Sequence, residues 1–369
     1  MSMLQHSTRA WGSPSRYIQG RYELDNIRKH TETYGHRVFF LIDVFFFADL
    51  KKRFEALYAD SENTILCEQF GGQCTEAEIL RCTELAKELK PEVVVGIGGG
   101  KTMDTSKAVA DNYGAAMVIV PTTASTDAPA MGLSVIYTPE GEHIGARHYH
   151  KNPDLVLLDT DILCKAPIRF LVAGMGDALS TYLECRANIQ SASPNYVNSG
   201  YAQSIACQAV SKACHETVLS KGINAKIAAE QGLCTKDVED VIEANTLLSG
   251  LGVQNGSCAG AHSIAEGITV LPPCAKLLHG EVVAFGCLVQ LIVEGAPTAE
   301  IDQLYDFFNA VGLPTTFADL GIAEATDEDI MKVAEASMHS YWDVEPFTVN
   351  PRMVFDGIKM ADALGKLKK

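Results

Sequence analysis

Short apolar runs alternate with helical stretches in the first part of the chain. Consecutive apolar residues over a few positions are typical of strands that are buried on both faces of a sheet. The segments interpreted as strands are Arg37–Asp43, Asn63–Phe70, Val93–Val95, Ala115–Val120, Leu133–Tyr137 and Leu155–Asp159. Thr75–Lys90 has helical periodicity. Because strands that alternate with helices form parallel βαβ units, this part is predicted to be an α/β domain with a parallel sheet.

After Pro167 the strand pattern ends and only helical stretches follow. They cover Phe170–Ile189, Gly200–Leu219, Val238–Leu251, Gly260–Ile268 and Gly280–Glu294. The sequence therefore predicts an α/β domain over residues 1–165 and an all-α domain over residues 166–369. We expect a cleft between the two domains, where ligands commonly bind.

The segment from Val93 to Asp104 carries the strongest local signal for a ligand site. A run of valines ends in Gly98, Gly99 and Gly100, and a helical stretch begins at once with Lys101. Glycines let the backbone approach a ligand closely, and a helix start offers free N–H groups and the positive end of its dipole. The spacing matches neither the common dinucleotide fingerprint nor the Walker pattern. It indicates a phosphate or pyrophosphate site, and a glycine-rich turn without a ligand is the alternative.

Two polar features follow other strands of this half. Asp43 ends a strand, where a carboxylate can bind an adenosine ribose and repel a 2′-phosphate, which favours NAD over NADP. The segment Pro121–Pro129 is rich in threonine, serine and aspartate and follows another strand, at the edge where ligands bind in such sheets. A solvated strand-end carboxylate and an ordinary proline-bounded turn are the alternatives.

Asp177, His262 and His279 are candidate metal ligands in the helical half. Asp177 lies at a helix start after two glycines, His262 among small residues on an apolar helix, and His279 at another helix entry. Imidazole nitrogen and carboxylate oxygen suit zinc or ferrous iron, and three protein ligands leave a position open for a substrate oxygen. No local motif links the three residues, and a buried histidine in a hydrogen-bonded core position is the alternative.

Composition argues against several classes of function. A formal charge of −16 disfavours nucleic acid and anionic membranes as partners. Apolar residues make up 47% of the chain, but the longest apolar run is too short to span a bilayer. No apolar stretch follows Arg9 and Arg16, so we expect no secretion signal. The 11 cysteines include no Cys-x-x-Cys pair, which indicates free thiols in a reducing, cytoplasmic environment.

Together these segments resemble the glycerol dehydrogenase branch of the iron-containing alcohol dehydrogenase superfamily. The resemblance extends over almost the whole chain and rests on an ordered series of motifs. They are Ser13–Gly20, Phe70–Cys74, Gly96–Lys107, Pro121–Pro129, Leu133–Tyr137, Gly176–Leu179, Glu243–Gly250 and His279–Gly286. The resemblance implies an N-terminal NAD-binding domain and a C-terminal helical domain with zinc between them, ferrous iron being the alternative metal. It also implies a homo-oligomer, since the family often forms octamers.

The resemblance further implies roles for individual residues. Asp177, His262 and His279 become the metal ligands, and His262 also borders the substrate. Asp127 matches the carboxylate that orients the substrate. The coenzyme-binding residues that it implies are Asp43, Gly98, Gly99, Gly100, Lys101, Asp104, Thr122, Thr123, Ser125, Met131, Leu133 and Tyr137. Thr181, one turn after Asp177, stands where many iron-dependent relatives have a fourth ligand, a histidine, and so favours the three-ligand zinc type.

Two departures from the family pattern concern the choice of substrate more than the chemistry. Met131 and Gly132 replace a Ser-Ala pair, and Ala265 and Glu266 replace a second histidine and an asparagine after His262. The expected function is therefore NAD- and zinc-dependent oxidation of glycerol or a related small vicinal diol to the hydroxyketone, and the reverse reduction.

Two other functions remain as alternatives. One is a metal- and NAD-dependent lyase of the 3-dehydroquinate synthase type, which needs a basic pocket; glycerol-1-phosphate dehydrogenase has the same need. The segments around the metal candidates, residues 174–184 and 256–281, contain only Lys276 as a lysine or arginine. The other alternative is a non-catalytic NAD-binding sensor. The presence of all three candidate metal ligands argues against this alternative.

Overall fold

The structure is a computed structural model that describes residues 8–197 and 200–369. The chain divides into two compact units. The α/β unit comprises Gly12–Ala124 and Ala128–Ala166. The helical unit comprises Pro167–Lys369, Ser125–Asp127 and the described part of Met1–Trp11.

A parallel six-stranded sheet forms the centre of the α/β unit. The strands of the unit are β1 (Tyr17–Gly20), β2 (Arg37–Ile42), β3 (Thr64–Gln69), β4 (Val93–Gly98), β5 (Ala116–Pro121), β6 (Leu133–Tyr137), β7 (His143–His148) and β8 (Leu155–Asp159). Six of them pair in the order β1-β8-β5-β4-β2-β3, and every pairing in this sheet is parallel. The parallel sheet confirms the predicted fold class.

Helices cover both faces of this sheet. They are α1 (Ile27–Thr31), α2 (Val44–Tyr58), α3 (Glu76–Leu85), α4 (Gly100–Tyr113) and α5 (Thr160–Lys165). Strand β2 shows why its apolar run is continuous: Phe40 and Ile42 pack into one core cluster with residues of α2. Phe39 and Leu41 pack into a second cluster with residues of α3 and α4. A strand that is buried on both faces needs apolar side chains at every position, because successive side chains point to opposite faces.

The segment Leu133–Tyr137 is a strand, as predicted, but it lies outside the parallel sheet. It forms β6 and pairs antiparallel with β7, which the sequence analysis did not identify. The connection through Pro139–Glu142 is too short for a crossover helix, which a parallel pairing requires. The short strand β1 was also missed, since its four residues are only half-buried and give little apolar pattern.

The helical unit contains nine α-helices in the described part of the chain. They are α6 (Ile168–Ser191), α7 (Ile205–Glu230), α8 (Lys236–Glu243), α9 (Ser249–Gly256), α10 (Gly260–Gly267), α11 (His279–Glu294), α12 (Thr298–Val311), α13 (Asp327–Ser337) and α14 (Pro351–Lys368). The stretch Val238–Leu251, expected as one helix, is interrupted by a π-helical turn at Ala244–Leu248. The predicted helical character of the C-terminal half is confirmed, and none of its described helices has the length and apolar character needed to cross a membrane.

Glycines let α6, α10 and α11 approach one another closely. A Cβ atom at Gly176 of α6 would lie 2.3 Å from the carbonyl oxygen of Gly280 on α11. A Cβ atom at Gly280 would lie 1.8 Å from the carbonyl oxygen of Ala173, again on α6. At Gly286 of α11, it would lie 2.2 Å from the carbonyl oxygen of Ala261 on α10. Real Cβ atoms do not tolerate such distances, so these helix contacts require glycine.

The cysteines follow the expectation of free thiols in most cases. The free and buried ones are Cys67, Cys74, Cys82, Cys185, Cys207, Cys214, Cys258, Cys274 and Cys287. Cys164 and Cys234 are each disulfide-bonded, so the expectation was wrong for these two.

Candidate functional site

Three helices of the helical unit bring the predicted metal ligands together. Asp177 lies in α6, His262 in α10, and His279 is the first residue of α11. The Nε2 atoms of the two histidines are 3.3 Å apart, and Asp177 Oδ1 lies 3.4 Å from Nε2 of His279 and 3.7 Å from Nε2 of His262. A tetrahedral zinc ion with bonds of ~2.0–2.2 Å separates its ligand atoms by about the same distances. The three atoms are therefore spaced as ligands of one such ion.

The Asp177 carboxylate fits a cation at this point. Its side chain is 1% exposed, and its Oδ1 atom has no hydrogen-bond partner among the described residues. Its Oδ2 atom accepts a hydrogen bond of 3.3 Å from the backbone N–H of Asp127. Burial acts to raise the pKa of Asp177, but His279 and His262 outweigh it and hold the pKa below its usual value. The carboxylate is thus charged and has a buried oxygen that faces two imidazole nitrogens.

Glu184 joins this cluster, although the sequence analysis did not identify it. It lies on α6 seven residues after Asp177, which places both side chains on the same helix face. Its Oε2 atom is 2.7 Å from Nδ1 of His262. Glu184, Cys258 and His262 form a second group of potential metal-ligating atoms, but both carboxylate oxygens of Glu184 already accept hydrogen bonds. In the sequence, Glu184 could have been recognised as a candidate because it is a charged residue within a helix that is largely buried.

Thr181 and Asp127 have defined places beside the cluster. The Thr181 hydroxyl is buried and lies 2.8 Å from the hydroxyl of Ser249, with which it shares a hydrogen bond. Asp127 is 9% exposed, and its backbone donates to Asp177 as described above. The position at which the family resemblance implies a fourth ligand in many iron-dependent members is therefore occupied by a threonine that bonds within the protein.

The glycine segment of the α/β unit forms the start of α4. Gly98 ends β4, Gly99 is the N-cap of α4, and Gly100 is its first residue. A Cβ atom at Gly99 would meet no atom within 4 Å, so the space beside this helix start is open. Lys101 is exposed, and its Nζ atom lies 5.3 Å from the ring centroid of Tyr137. Free N–H groups and a lysine at a helix start can bind a phosphate.

Asp43 lies at the same edge of the sheet as these glycines. Its backbone N–H donates to the carbonyl oxygen of Ile97, next to Gly98, at 2.9 Å. One carboxylate oxygen of Asp43 caps α2 by accepting a hydrogen bond of 3.0 Å from the N–H of Phe45. The half-buried carboxylate is thereby fixed at the carboxyl end of β2, where ligands bind in parallel sheets.

Asp104, which the family resemblance assigns to the coenzyme, makes contacts within the protein. It forms a buried ion pair of 3.1 Å with Lys107, and its other oxygen accepts a hydrogen bond from the N–H of Val135. Burial raises the pKa of Asp104. Lys107 also donates to the carbonyl oxygens of Ala128 and Leu133. The ion pair thus links α4 to β6 and to the segment that precedes β6. That preceding segment contains Met131, and the hydrogen bonds of Lys107 help to fix its backbone.

The other predicted residues are placed as follows. Thr122 is buried directly after β5, and its N–H donates to the carbonyl oxygen of Gly98. Leu133 and Tyr137 are the first and last residues of β6. Thr123 also belongs to the α/β unit, and Ser125 belongs to the helical unit. The residues predicted to bind the coenzyme are therefore divided between the two units.

Of the residues that depart from the family pattern, Met131 and Ala265 are buried, at 5% and 3% exposure. The carboxylate of Glu266 accepts a hydrogen bond from the hydroxyl of Ser340. The side chain of Glu266 is therefore held toward the segment before Trp342. Its effect on the choice of substrate stays a prediction.

Known proteins are consistently similar to this chain over almost its whole length. Residues 14–160 match the family described as iron-containing alcohol dehydrogenase. A glycerol dehydrogenase of Thermotoga maritima is 44% identical over 96% of this chain and 97% of its own length. A glycolaldehyde reductase of Halobacterium salinarum is 38% identical over 97% of this chain and 98% of its own. The crystal structure of a probable glycerol dehydrogenase from Sinorhizobium meliloti is 42% identical and superposes with a TM-score of 0.92, covering 98% of this chain and 99% of that one.

Proposed function

This chain belongs to the iron-containing alcohol dehydrogenase family, and on that basis we propose NAD- and zinc-dependent oxidation of glycerol or a related small vicinal diol to the hydroxyketone. The same enzyme would catalyse the reverse reduction. The observation that carries the proposal is the convergence of Asp177, His262 and His279 on one point with the spacing of a tetrahedral ion. The full-length similarity to glycerol dehydrogenases supports the substrate class.

Asp177, His262 and His279 would hold the metal ion. A bound zinc ion would supply a Lewis acid at this point, and NAD would supply the acceptor for the hydride. Two nitrogens and one oxygen are a donor set that suits zinc better than magnesium or calcium. The internally bonded Thr181 supports zinc over an iron site with four protein ligands.

The chain's own residues would position the diol. Asp127 lies beside the metal ligands, since its backbone N–H donates to the carboxylate of Asp177. A carboxylate can accept hydrogen bonds from the second hydroxyl of a vicinal diol, which a monoalcohol lacks. This contact would give the enzyme its preference for diols over monoalcohols.

The glycine segment and Asp43 would bind the coenzyme. The N–H groups at the start of α4 and the exposed Lys101 would hold the pyrophosphate, and Asp43 would bind the adenosine ribose. Thr122, Thr123, Ser125, Met131, Leu133 and Tyr137 would complete the set, with Asp104 acting through the ion pair with Lys107. The lyase and sensor alternatives are not favoured, because the similar full-length proteins are named as dehydrogenases and a reductase. A homo-oligomer and a cytoplasmic location stay predictions.

Asp43→Asn is expected to reduce the preference for NAD over NADP roughly tenfold, which corresponds to about 1.4 kcal/mol. The substitution removes the charge that repels a 2′-phosphate, but the amide oxygen can still cap α2 at the N–H of Phe45. The measurement is the ratio of kcat/KM for the two coenzymes with the same diol. The thermal midpoint of unfolding is the control and should not change. An unchanged ratio would show that this carboxylate does not face the ribose.

The activity itself is tested by NADH formation with zinc-loaded and chelator-stripped protein. The substrates are glycerol, 1,2-propanediol, 2,3-butanediol and 1-propanol. In the reverse direction, NADH consumption is followed with glycolaldehyde as the substrate. We expect zinc-dependent turnover of diols at least about tenfold above 1-propanol, since a site built to bind a hydroxyl discriminates strongly against its absence. Full activity of the stripped protein would contradict the metal site. Equal turnover of 1-propanol would contradict the role of Asp127.

A further inference from the structure

The helix that carries His262 does not cap its own N-terminus. Ala259 precedes the first residue of α10 and offers no side-chain cap. The N–H groups of Ala259 and His262 instead donate to Oε1 of Glu184 on α6, at 2.8 and 2.9 Å. The N–H of Ala261 donates to Oε1 of Gln290 on α11, at 2.8 Å. Side chains of two neighbouring helices therefore satisfy the N–H groups that a helix start leaves unpaired.

The second oxygen of Glu184 acts on the imidazole of His262. Oε2 lies 2.7 Å from Nδ1 of that ring, and the Glu184 side chain is fully buried. A carboxylate can only accept hydrogen bonds, so Nδ1 must carry the hydrogen. The lone pair of the neutral ring is then on Nε2, which is the nitrogen that faces Asp177 and His279.

From this geometry we propose that Glu184 is a positioning residue that sets both the place and the tautomer of His262 for metal binding. One oxygen fixes the backbone of α10 and the other fixes the ring. The inference rests on the zinc site proposed above and adds a residue to it. The charge of Glu184 also stabilises the start of α10, because anions are favoured at the positive end of a helix dipole.

Glu184→Gln separates this role from simple filling of space, because glutamine has nearly the same shape but only one oxygen. The backbone N–H groups of Ala259 and His262 cannot become acceptors, so the amide oxygen should stay with them. The amide NH₂ group would then face Nδ1 of His262, which must accept, and the ring hydrogen moves to Nε2. The nitrogen needed for the metal is thereby blocked.

We expect Glu184→Gln to lower zinc affinity by about 10–100-fold, the usual effect of losing an outer partner of a metal ligand. Zinc affinity is measured by competition with a chromophoric chelator. The tautomer is measured in metal-free, ¹⁵N-histidine-labelled protein at a pH at which the His262 ring is neutral. It is read from the two-bond ¹H–¹⁵N correlations of His262, which are assigned by comparison with a His262→Gln spectrum. The wild type should show hydrogen on Nδ1, and Glu184→Gln should show it on Nε2.

Glu300→Gln is the matched control. It makes the same carboxylate-to-amide change in the helical unit, where Glu300 bonds to Arg186 and makes no hydrogen bond to α10 among the described residues. It should keep the zinc affinity and the tautomer of the wild type. Wild-type zinc affinity in Glu184→Gln would overturn the inference.

The tautomer in the wild type tests the inference even if Glu184→Gln fails to fold. A neutral His262 ring with its hydrogen on Nε2 in the metal-free wild type would overturn it, and a neutral ring with its hydrogen on Nδ1 would support it. This measurement needs neither metal nor turnover. A wild type that oxidises diols without binding zinc would instead refute the proposed function and leave the hydrogen-bond assignment intact.

Discussion

Asp177→Ala is expected to abolish zinc binding and diol turnover while the protein still folds. The substitution removes the only anionic ligand of the proposed site and leaves two imidazoles, one of which, His279, is nearly half-exposed. Zinc affinity should fall by more than about 100-fold, beyond the usual effect of losing an outer partner. Folding should be retained, because the buried carboxylate accepts only one protein hydrogen bond in the described structure, from Asp127.

Thermal unfolding with zinc or with a chelator gives a readout that does not depend on turnover. A ligand present at 100 times its dissociation constant stabilises the folded protein by ~2.7 kcal/mol. The wild type should therefore unfold at a lower temperature after chelation, whereas Asp177→Ala should be insensitive. Asp362→Asn is the matched control, since it changes another buried aspartate of the helical unit, which accepts from the N–H of Phe317. Zinc-dependent turnover by Asp177→Ala would refute the ligand assignment.

Gly280→Ala is expected to destabilise the protein by at least ~1–3 kcal/mol and to weaken zinc binding. The new methyl group would lie 1.8 Å from the carbonyl oxygen of Ala173 and 3.1 Å from the backbone nitrogen of Asp177. These neighbours are backbone atoms of α6 and cannot rotate away, so α11 must shift. Because His279 is the residue before Gly280, that shift moves one metal ligand away from another.

Urea unfolding and zinc competition measure the two effects of Gly280→Ala. Gly99→Ala is the control for both, because a methyl group there meets no atom within 4 Å and the φ angle is −81°. It should leave stability and zinc affinity unchanged. Wild-type values for Gly280→Ala would show that the contact between α6 and α11 does not set the spacing of the ligands.

The fold class could be predicted from the sequence because its strands carry a local signal. The run Val93–Val95 and the apolar residues of β2 have no polar face, and only a sheet covered on both sides explains them. The pairing of β6 with β7 could not be predicted in this way, because β7 is largely exposed and has no apolar run. Only the short connection at Pro139–Glu142 distinguishes an antiparallel from a parallel pairing.

The site could be predicted only in part, since its residues come from three helices, and α6 is far from α10 and α11 in the chain. Asp177, His262 and His279 have the right chemistry, but their convergence depends on close helix contacts at glycines such as Gly280. Glu184 was missed because its partner lies on another helix. Its position two turns after Asp177 gives no reason to pair it with His262.

The N-terminus of α10 is capped by side chains of other helices. This has a consequence for how the protein gains and loses its metal. A helix of eight residues is shorter than the ~12–15 that an isolated helix needs, so α10 depends on Glu184 and Gln290 for its form. Both belong to long helices of the surrounding bundle, and neither contact involves a cation. Contacts within the polypeptide are thus expected to hold the metal ligands in place. Small zinc domains differ, because they are unfolded without metal. Removal of the metal from the proposed site would then leave the protein folded but inactive, and activity would return when metal is supplied again, without refolding.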